Sequence, residues 1–396
     1  MRWQAKRLDQ LGSVARGRSR HRPRDAAHLY GGAHPFIQTG DIKHAGLYVT
    51  GYHQTYSDAG LEQSKLWPAG TLCITIAANI ADTAILGIDA CFPDSVIGFL
   101  AAPTLADARF VKYLFDANLK RRAQQFSQGA TQDNLSQEKL LSLEFNVPPV
   151  AEQRRVADVL SAYDDLIENN RRRMALLEES ARLLYREWFV HLRFPGHKHT
   201  RIVDGVPEGW DQKALGDLCD NVRETVHPEA VEADTPYIGL EHMPRRSISL
   251  GEWGRADEVT STKHRFRTGE ILFGKIRPYF HKVGVAFVDG VASSDAIVIR
   301  PVDEKLQCLV LMTTSSDEFV AVTAQQMKEG SKMPRADWKQ MQQYAVLVPP
   351  DGLLGDFNGW IQPIVEQLKA LCFANRRLRA ARDLLLPRLM SGEITV

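Results

Sequence analysis

The strongest constraint on this chain is that it repeats itself once, with a period near 200 residues. AQQFSQGATQ at 123–132 aligns with AQQMKEGSKM at 324–333, and the match runs without a gap to VPP at 147–149 and 348–350, at a constant offset of 201. Trp3, Leu8 and Leu11 answer Trp210, Leu215 and Leu218, and Pro35-Phe36-Ile37 answers Pro236-Tyr237-Ile238. Gly70 with Leu72 answers Gly269 with Ile271, Asp89 answers Asp289, and Asn170-Arg171-Arg172 answers Asn375-Arg376-Arg377. A period of roughly 20–50 residues would make a solenoid, whose units cannot bury a core alone. A period of 200 gives each copy room for a core of its own. The 396 residues therefore predict two copies of one module, in two or three domains.

Each module reads as a mixed α/β domain followed by a long helix. TLCITI (71–76), EILFGKI (270–276) and VGVAFV (283–288) are short apolar runs bounded by Gly, Pro, Asp and Ser, which predicts strands. Helical stretches are expected near 104–125 and 303–327. Beyond each domain lies a heptad seam. In the first copy it runs Val156, Leu160, Tyr163, Ile167, Asn170, Met174, Leu177, Ala181, Leu184, Trp188, with spacing 4 and 3 unbroken. In the second it runs Phe357, Ile361, Ile364, Leu368, Leu371, Asn375, Leu378, Arg382, Leu385, Leu389. Pro363 predicts a kink in that helix or a delayed start, and Pro387 a disturbed end. A stripe this narrow needs one partner, and the economical partner for each helix is the other, antiparallel. Asn170 and Asn375 sit on opposite phases of their seams, so no contact between them is assumed. The expected fold class is α+β: two related mixed α/β domains joined by two long helices packed as an antiparallel coiled coil, a pseudo-twofold internal repeat. The expected domains are 1–150, a helix over 151–192, a linker over 193–206, a second domain over 207–350, and a second helix with tail over 351–396.

Charge and cysteine content narrow the function. Formal net charge is +1, from 49 basic and 48 acidic residues, which excludes a strongly basic DNA-coating protein. Local patches remain: residues 1–24 hold eight Lys/Arg against Asp9, and residues 263–282 hold six against Glu270. Solvated surface would explain either patch alone. Five cysteines with no CxxC pair support neither a disulfide framework nor a zinc site. With no long apolar run, no membrane association is expected, and the expected location is the cytoplasm.

Catalytic motifs are near misses. GEILFGKI at 269–276 lacks the Ser or Thr that follows the lysine of a P-loop, and its interior is a strand. NVPP at 146–149 has an intervening Val and no aromatic, unlike the Asn-Pro-Pro-aromatic motif of amino-methyltransferases. Asp-x-Lys triplets at 41–43, 211–213 and 337–339 are expected by chance in so charged a chain. His197 and His199 lie in a Pro/Gly-flanked linker without further ligands. The expectation is a binding protein, with no catalytic residue and no metal ligand.

Four stretches carry a family resemblance: 147–196 (VPPVAEQRRVADVLSAYDDLIENNRRRMALLEESARLLYREWFVHLRFPG), 206–218 (VPEGWDQKALGDL), 375–394 (NRRLRAARDLLLPRLMSGEI) and 75–99 (TIAANIADTAILGIDACFPDSVIGF). Through them the chain resembles a specificity (S) subunit of a Type I restriction-modification system, a phage-defence assembly. The resemblance implies two target-recognition domains, each reading half of a split, asymmetric target in double-stranded DNA. It implies conserved helices that form the spacer and hold two DNA methyltransferase (M) subunits, with restriction/translocation (R) subunits as further partners. It implies no catalysis and no cofactor in this chain: S-adenosylmethionine belongs to the methyltransferase subunits, and ATP and Mg to a motor subunit. The alternative is a scaffold or inhibitor of a DNA methyltransferase that does not read DNA; a DNA mimic should be strongly acidic, and this chain is balanced.

On that resemblance, candidate DNA contacts are Thr75, Asn79, Gln128, Thr131 and Gln132 in the first domain, and Lys275, Arg277, Tyr279, Lys282, Ser331, Lys332 and Arg335 in the second. Arg and Lys suit guanine or phosphate, and Asn and Gln suit adenine. Candidate partner-binding residues are Leu183, Tyr185, Trp188 and Phe189, apolar side chains expected to need cover.

Overall fold

The computed structural model describes residues 3–77, 80–127, 136–258, 260–325 and 334–396; for 119–127 and Glu258 it describes the backbone alone. The chain forms two compact units, Met1–Asn169 with Arg376–Val396, and Asn170–Asn375. Each long helix thus contributes one half to each unit.

The duplication seen in the sequence is a duplication of topology. The first unit has a five-stranded sheet in the order Gly12–Arg16, Val96–Ala101, Leu72–Thr75, Thr83–Leu86, Tyr48–Val49. The second unit has one in the order Cys219–Val222, Ala296–Pro301, Ile271–Gly274, Val283–Ala286, Ser249–Leu250. In both, the last pair is parallel and the rest antiparallel. A two-stranded ribbon ties the ends of each module: Gln4–Arg7 with Glu144–Val147, and Asp211–Ala214 with Ala345–Val348. The central strands are buried on both faces and read as continuous apolar runs, as covered strands do.

The conserved-looking anchors are turn machinery. Gly70 and Gly269 adopt φ of 86° and 90°, the left-handed region where a Cβ is costly. Their amides donate to Leu86 O (2.8 Å) and Ala286 O (2.9 Å). Asp89 accepts from the Ala69 amide at 2.8 Å, and Asp289 from the Thr268 amide at 2.7 Å. The Thr268 hydrogen bonds hold the Asp289 carboxyl below its usual range.

The first long helix is Val150–Tyr185, extended by a π-helical turn Arg186–Val190. It starts after Pro148-Pro149, where a fixed φ suits the first turn and the missing N–H is no loss. The second is Asp351–Met390, after Pro349-Pro350. It runs through Pro363 and Pro387, so the delayed start allowed for at Pro363 does not occur. Both prolines are exposed, as are Gly359 and Asp383, whose carbonyls lose their i+4 donors, so the unpaired groups lie on the solvent side.

Every residue of both predicted seams is buried or half-buried. In the first unit Val156, Ala157 and Leu160 share a core with Leu389 and Met390, and Arg382 pairs with Asp164. In the second, Trp188 and Phe189 meet Phe357, and Asn170 meets Asn375. Numbers rise on one helix as they fall on the other, so the pairing is antiparallel in each unit. Asn170 Nδ2 donates to Asn375 Oδ1 at 2.9 Å, although the two occupy opposite phases. Antiparallel packing sets one phase of a seam against the other, which brings them together. Such a buried polar pair fixes register at some cost in stability.

A buried carboxylate in each unit joins helix to module. Asp164 accepts from the Tyr113 hydroxyl at 2.6 Å and from Arg382. Glu178 accepts from Ser249 at 2.6 Å, Ser247 at 2.7 Å and Arg182 at 3.4 Å.

Candidate nucleic-acid interface

In the second unit a loop leaves the sheet after Gly274 and returns at Lys282, and the Gly274 amide donates to Lys282 O at 2.8 Å. Its outgoing arm is held on two sides. The Lys275 amide donates to Asp295 O (2.7 Å), the Ala336 amide to Lys275 O (2.9 Å) and the Arg277 amide to Pro334 O (2.9 Å). The tip is a short turn, Pro278–Phe280, bracketed by Arg277 (φ 50°) and His281 (φ 53°). Left-handed backbone costs roughly 1–2 kcal/mol per residue outside glycine, so the surroundings must hold it. His281 does so from below: it is buried, and its Nε2 donates to Ser315 O at 2.8 Å.

This turn presents Arg277 and Tyr279 to solvent, and Arg335 is exposed beside it, paired with Asp295 at 3.3 Å. Lys275 and Lys282 are half-buried, with their ammonium groups on the carbonyls of Ser294 and Leu240. Burial pushes both down from the usual lysine range; Asp295 opposes this for Lys275, while Arg223 and Arg335 add to it. Arg245 lies 4.0 Å over the Phe280 ring. Arg223 and Arg245 belong to this cationic cluster and were missed in the sequence, because neither falls inside a charged run. Of the candidates here, Ser331 and Lys332 lie outside the described residues.

The first unit carries the same hairpin with different chemistry. The Thr75 amide donates to Asp82 O (3.0 Å) and the Ile76 amide to Ser95 O (3.0 Å). Ile76 thus stands where the second unit has Lys275, and the second loop is one residue longer. Ala81, at φ 68°, closes the loop as His281 does. Thr75 is corrected as a contact candidate: it is fully buried, accepts from the Asp82 amide at 3.0 Å and closes the base of the loop. Asn79, Gln128, Thr131 and Gln132 lie outside the described residues.

The partner-face candidates also need correction. Tyr185, Trp188 and Phe189 are buried in the core of the second unit. Tyr185 stacks on Phe189, Phe189 meets Trp210 edge-on, and the Tyr185 hydroxyl donates to Thr313 Oγ1 at 3.1 Å. The π turn places an extra residue in its circuit, so 188 and 189 both face inward. Leu183 is 47% exposed, and it aligns at seven-residue spacing with Leu176 (70%) and Val190 (41%). That exposed apolar stripe was legible as a second period of seven, off the seam.

Among the described residues no group of His, Cys, Asp and Glu is arranged to hold a metal ion, and no helix is long and apolar enough to cross a membrane.

Residues 1–179 match the family model of the Type I restriction modification DNA specificity domain. The whole chain aligns with 94% of the Type I restriction enzyme MjaIX specificity subunit of Methanocaldococcus jannaschii, at 23% identity over 419 residues. It is 22% identical over 284 residues to the Type I restriction enzyme EcoDI specificity subunit of Escherichia coli, covering 64% of this chain and 61% of that protein. Among solved structures, the Type-I restriction-modification system S subunit from M. genitalium shares the fold, with a TM-score of 0.55 at 14% identity over 98% of this chain and 96% of that one. Residues 1–179 thus carry a match to the Type I restriction modification DNA specificity domain, and the whole chain, a twice-repeated module on paired helices, is similar from end to end to a Type I specificity subunit.

Proposed function

We propose that the chain is the non-catalytic DNA-reading subunit of a Type I complex, that each module reads one half of a split target, and that the helices dock two methyltransferase subunits. The observation that carries this is the contrast between equivalent loops. The scaffold is the same at both hairpins, down to the amide that donates to Ser95 O in one and Asp295 O in the other. The loops themselves diverge, from Ile76–Asp82 without a basic residue to Lys275–Lys282 with three. Conserved scaffold with divergent exposed loops is what two readers of different sequences require.

In this reading Arg277 and Arg335 are the second module's donors for base edges or phosphate, and Tyr279 adds an apolar contact. Lys275 and Lys282, tied to carbonyls, position the loop. The exposed Leu176–Leu183 pair is the docking face for a methyltransferase subunit, since apolar side chains in a row on an exposed helix face are costly unless covered. S-adenosylmethionine then belongs to the methyltransferase subunits, and ATP and Mg to R subunits.

The test is adenine-methylation mapping in a host expressing methyltransferase subunits with and without this chain. Methylation at a split, asymmetric target only in its presence is expected. Methylation at the same sites in its absence would contradict the proposal.

A further inference from the structure

The basic N-terminal patch has an internal order that its charge count conceals. Arg16, Arg18, Arg20, Arg22 and Arg24 occupy alternate positions, and all five are exposed. Between them Gly17 and Ser19 are buried, His21 is half-buried and Pro23 is exposed, where the chain bends and turns over 21–25. Over 16–20 the alternation is that of an extended segment with one face in and one face out.

The inward face is fastened. The Gly17 amide donates to Val96 O at 2.9 Å and the Arg18 amide to Phe92 O at 3.2 Å. The Ser64 hydroxyl donates to Arg18 O at 2.9 Å, and the His21 amide to the Gln63 side chain at 3.0 Å. A Cβ at residue 17 would stand 2.3 Å from the carbonyl oxygens of Phe92 and Pro93, so only glycine allows this close approach.

Some of the arginines are partly engaged. Arg16 donates to Asp94 O, Arg24 pairs with the Asp94 carboxylate at 2.9 Å, and Arg22 donates to the carbonyls of Ser19 and His21. Arg18 and Arg20 have no carboxylate partner among the described residues. Two guanidinium groups are thus held out by a fixed backbone, with nothing of opposite charge on them among the described residues.

The position of the strip matters as much as its charge. It rests on the turn 92–96, the same turn on which the Ile76 amide anchors the first module's loop. In the second module the equivalent turn carries Lys275 and Arg335 through Asp295. There the stretch 224–231, which follows the counterpart of Arg16 at Arg223, holds two glutamates and no lysine or arginine. Both modules therefore make the same corner basic, but from different segments.

We infer that the arginine strip 16–24 is the first module's phosphate-backbone clamp, supplying the sequence-independent grip that its loop, which has no basic residue, cannot. This rests on the DNA-reading function proposed above. Arginine forks onto phosphate oxygens, and such contacts fix register without reading bases. Each phosphate neutralised on a duplex contributes about 0.9 to the slope of log affinity against log salt.

The experiment uses the full-length chain assembled with its methyltransferase subunits and a mixed-sequence DNA duplex, titrated at several salt concentrations. The Arg18→Gln/Arg20→Gln variant is expected to lower the slope by about 1.8, so that the wild type's advantage shrinks about 12-fold between roughly 50 and 200 mM salt. The Arg18→Lys/Arg20→Lys variant should keep most of the slope, and it guards against a folding defect in the first. Methylated sequences mapped in cells should be the same for all three proteins. An unchanged slope in the glutamine variant overturns the inference, as does a lysine variant that behaves like it. A changed first half-site also overturns it, since the arginines would then be reading bases. If wild type itself shows no salt-dependent DNA binding, the DNA-reading function falls first, and the clamp with it.

Discussion

Asp164→Ala is predicted to be among the most damaging single changes in the first unit. Asp164 is 7% exposed and is shared between two donors, the fully buried Tyr113 hydroxyl and Arg382, whose side chain is 25% exposed. Removing the carboxylate leaves Arg382 only Asp383, a 60% exposed partner at 2.8 Å. Breaking a buried pair costs about 3–5 kcal/mol when the remaining charge is left alone; with Asp383 retained, about 2 kcal/mol is expected. The orphaned Tyr113 hydroxyl adds about 1 kcal/mol or more. For a unit of roughly 190 residues, a loss of about 3 kcal/mol lowers the melting point by about 6–12 °C. Differential scanning calorimetry of the full chain would read this on the transition that contains the first unit. The contrast is the triple variant Asp164→Leu/Arg382→Met/Tyr113→Phe, which leaves no unpaired polar group and should recover most of the loss. The reasoning is refuted if Asp164→Ala shifts the transition by less than about 2–4 °C, or if the triple variant is as damaged as the single one.

Three further outcomes are expected. Burial pushes the Cys219 and Cys308 thiols up to about 12, and all five cysteines are buried, so the native chain should react with a thiol reagent near pH 8 far more slowly than the unfolded chain. Burial also lowers the pKa of His281 below its usual 6.5, with the Ser315 carbonyl and Asp317 opposing and Arg246 and Arg182 reinforcing the shift. The unfolded chain therefore binds the proton more readily, and the second unit should lose stability as pH falls below about 6.5; His281→Gln should flatten that part of a denaturation-midpoint curve against pH. Finally, Leu176→Glu/Leu183→Glu should leave the folding stability within about 0.5 kcal/mol of wild type, since both side chains are exposed, while abolishing co-purification of a methyltransferase subunit; retained co-purification would place the docking face elsewhere.

What the sequence made legible was periodic. The duplication, the mixed α/β modules and both helical seams follow from spacing alone, because a repeat offset and a 4-3 pattern survive without knowledge of neighbours. Faces off the seam were harder to read. Tyr185, Trp188 and Phe189 are placed by a π turn that no heptad count anticipates, so side chains expected at the surface close a core. Thr75 ends a strand that is buried on both faces, and nothing in a four-residue run distinguishes a covered strand end from an exposed loop start. The anchors' offset changes by one between Gly70/Gly269 and Asp89/Asp289, but only the hydrogen bonds place the extra residue in the second hairpin loop. The arginine strip was visible as charge but not as geometry. Its meaning depends on Gly17 and Ser19 being held against the 92–96 turn, a long-range contact that local patterning does not encode.

The central claim is that two modules read two half-sites independently. It is tested most directly by methylome sequencing of cells carrying the wild-type complex and one with Arg277→Ala/Arg335→Ala, two exposed side chains of the second module. The account predicts that the wild type methylates a target of two different half-sites around unread bases, and that the variant relaxes or loses one half while the other is unchanged. A change in both halves together, or none in either, would contradict it.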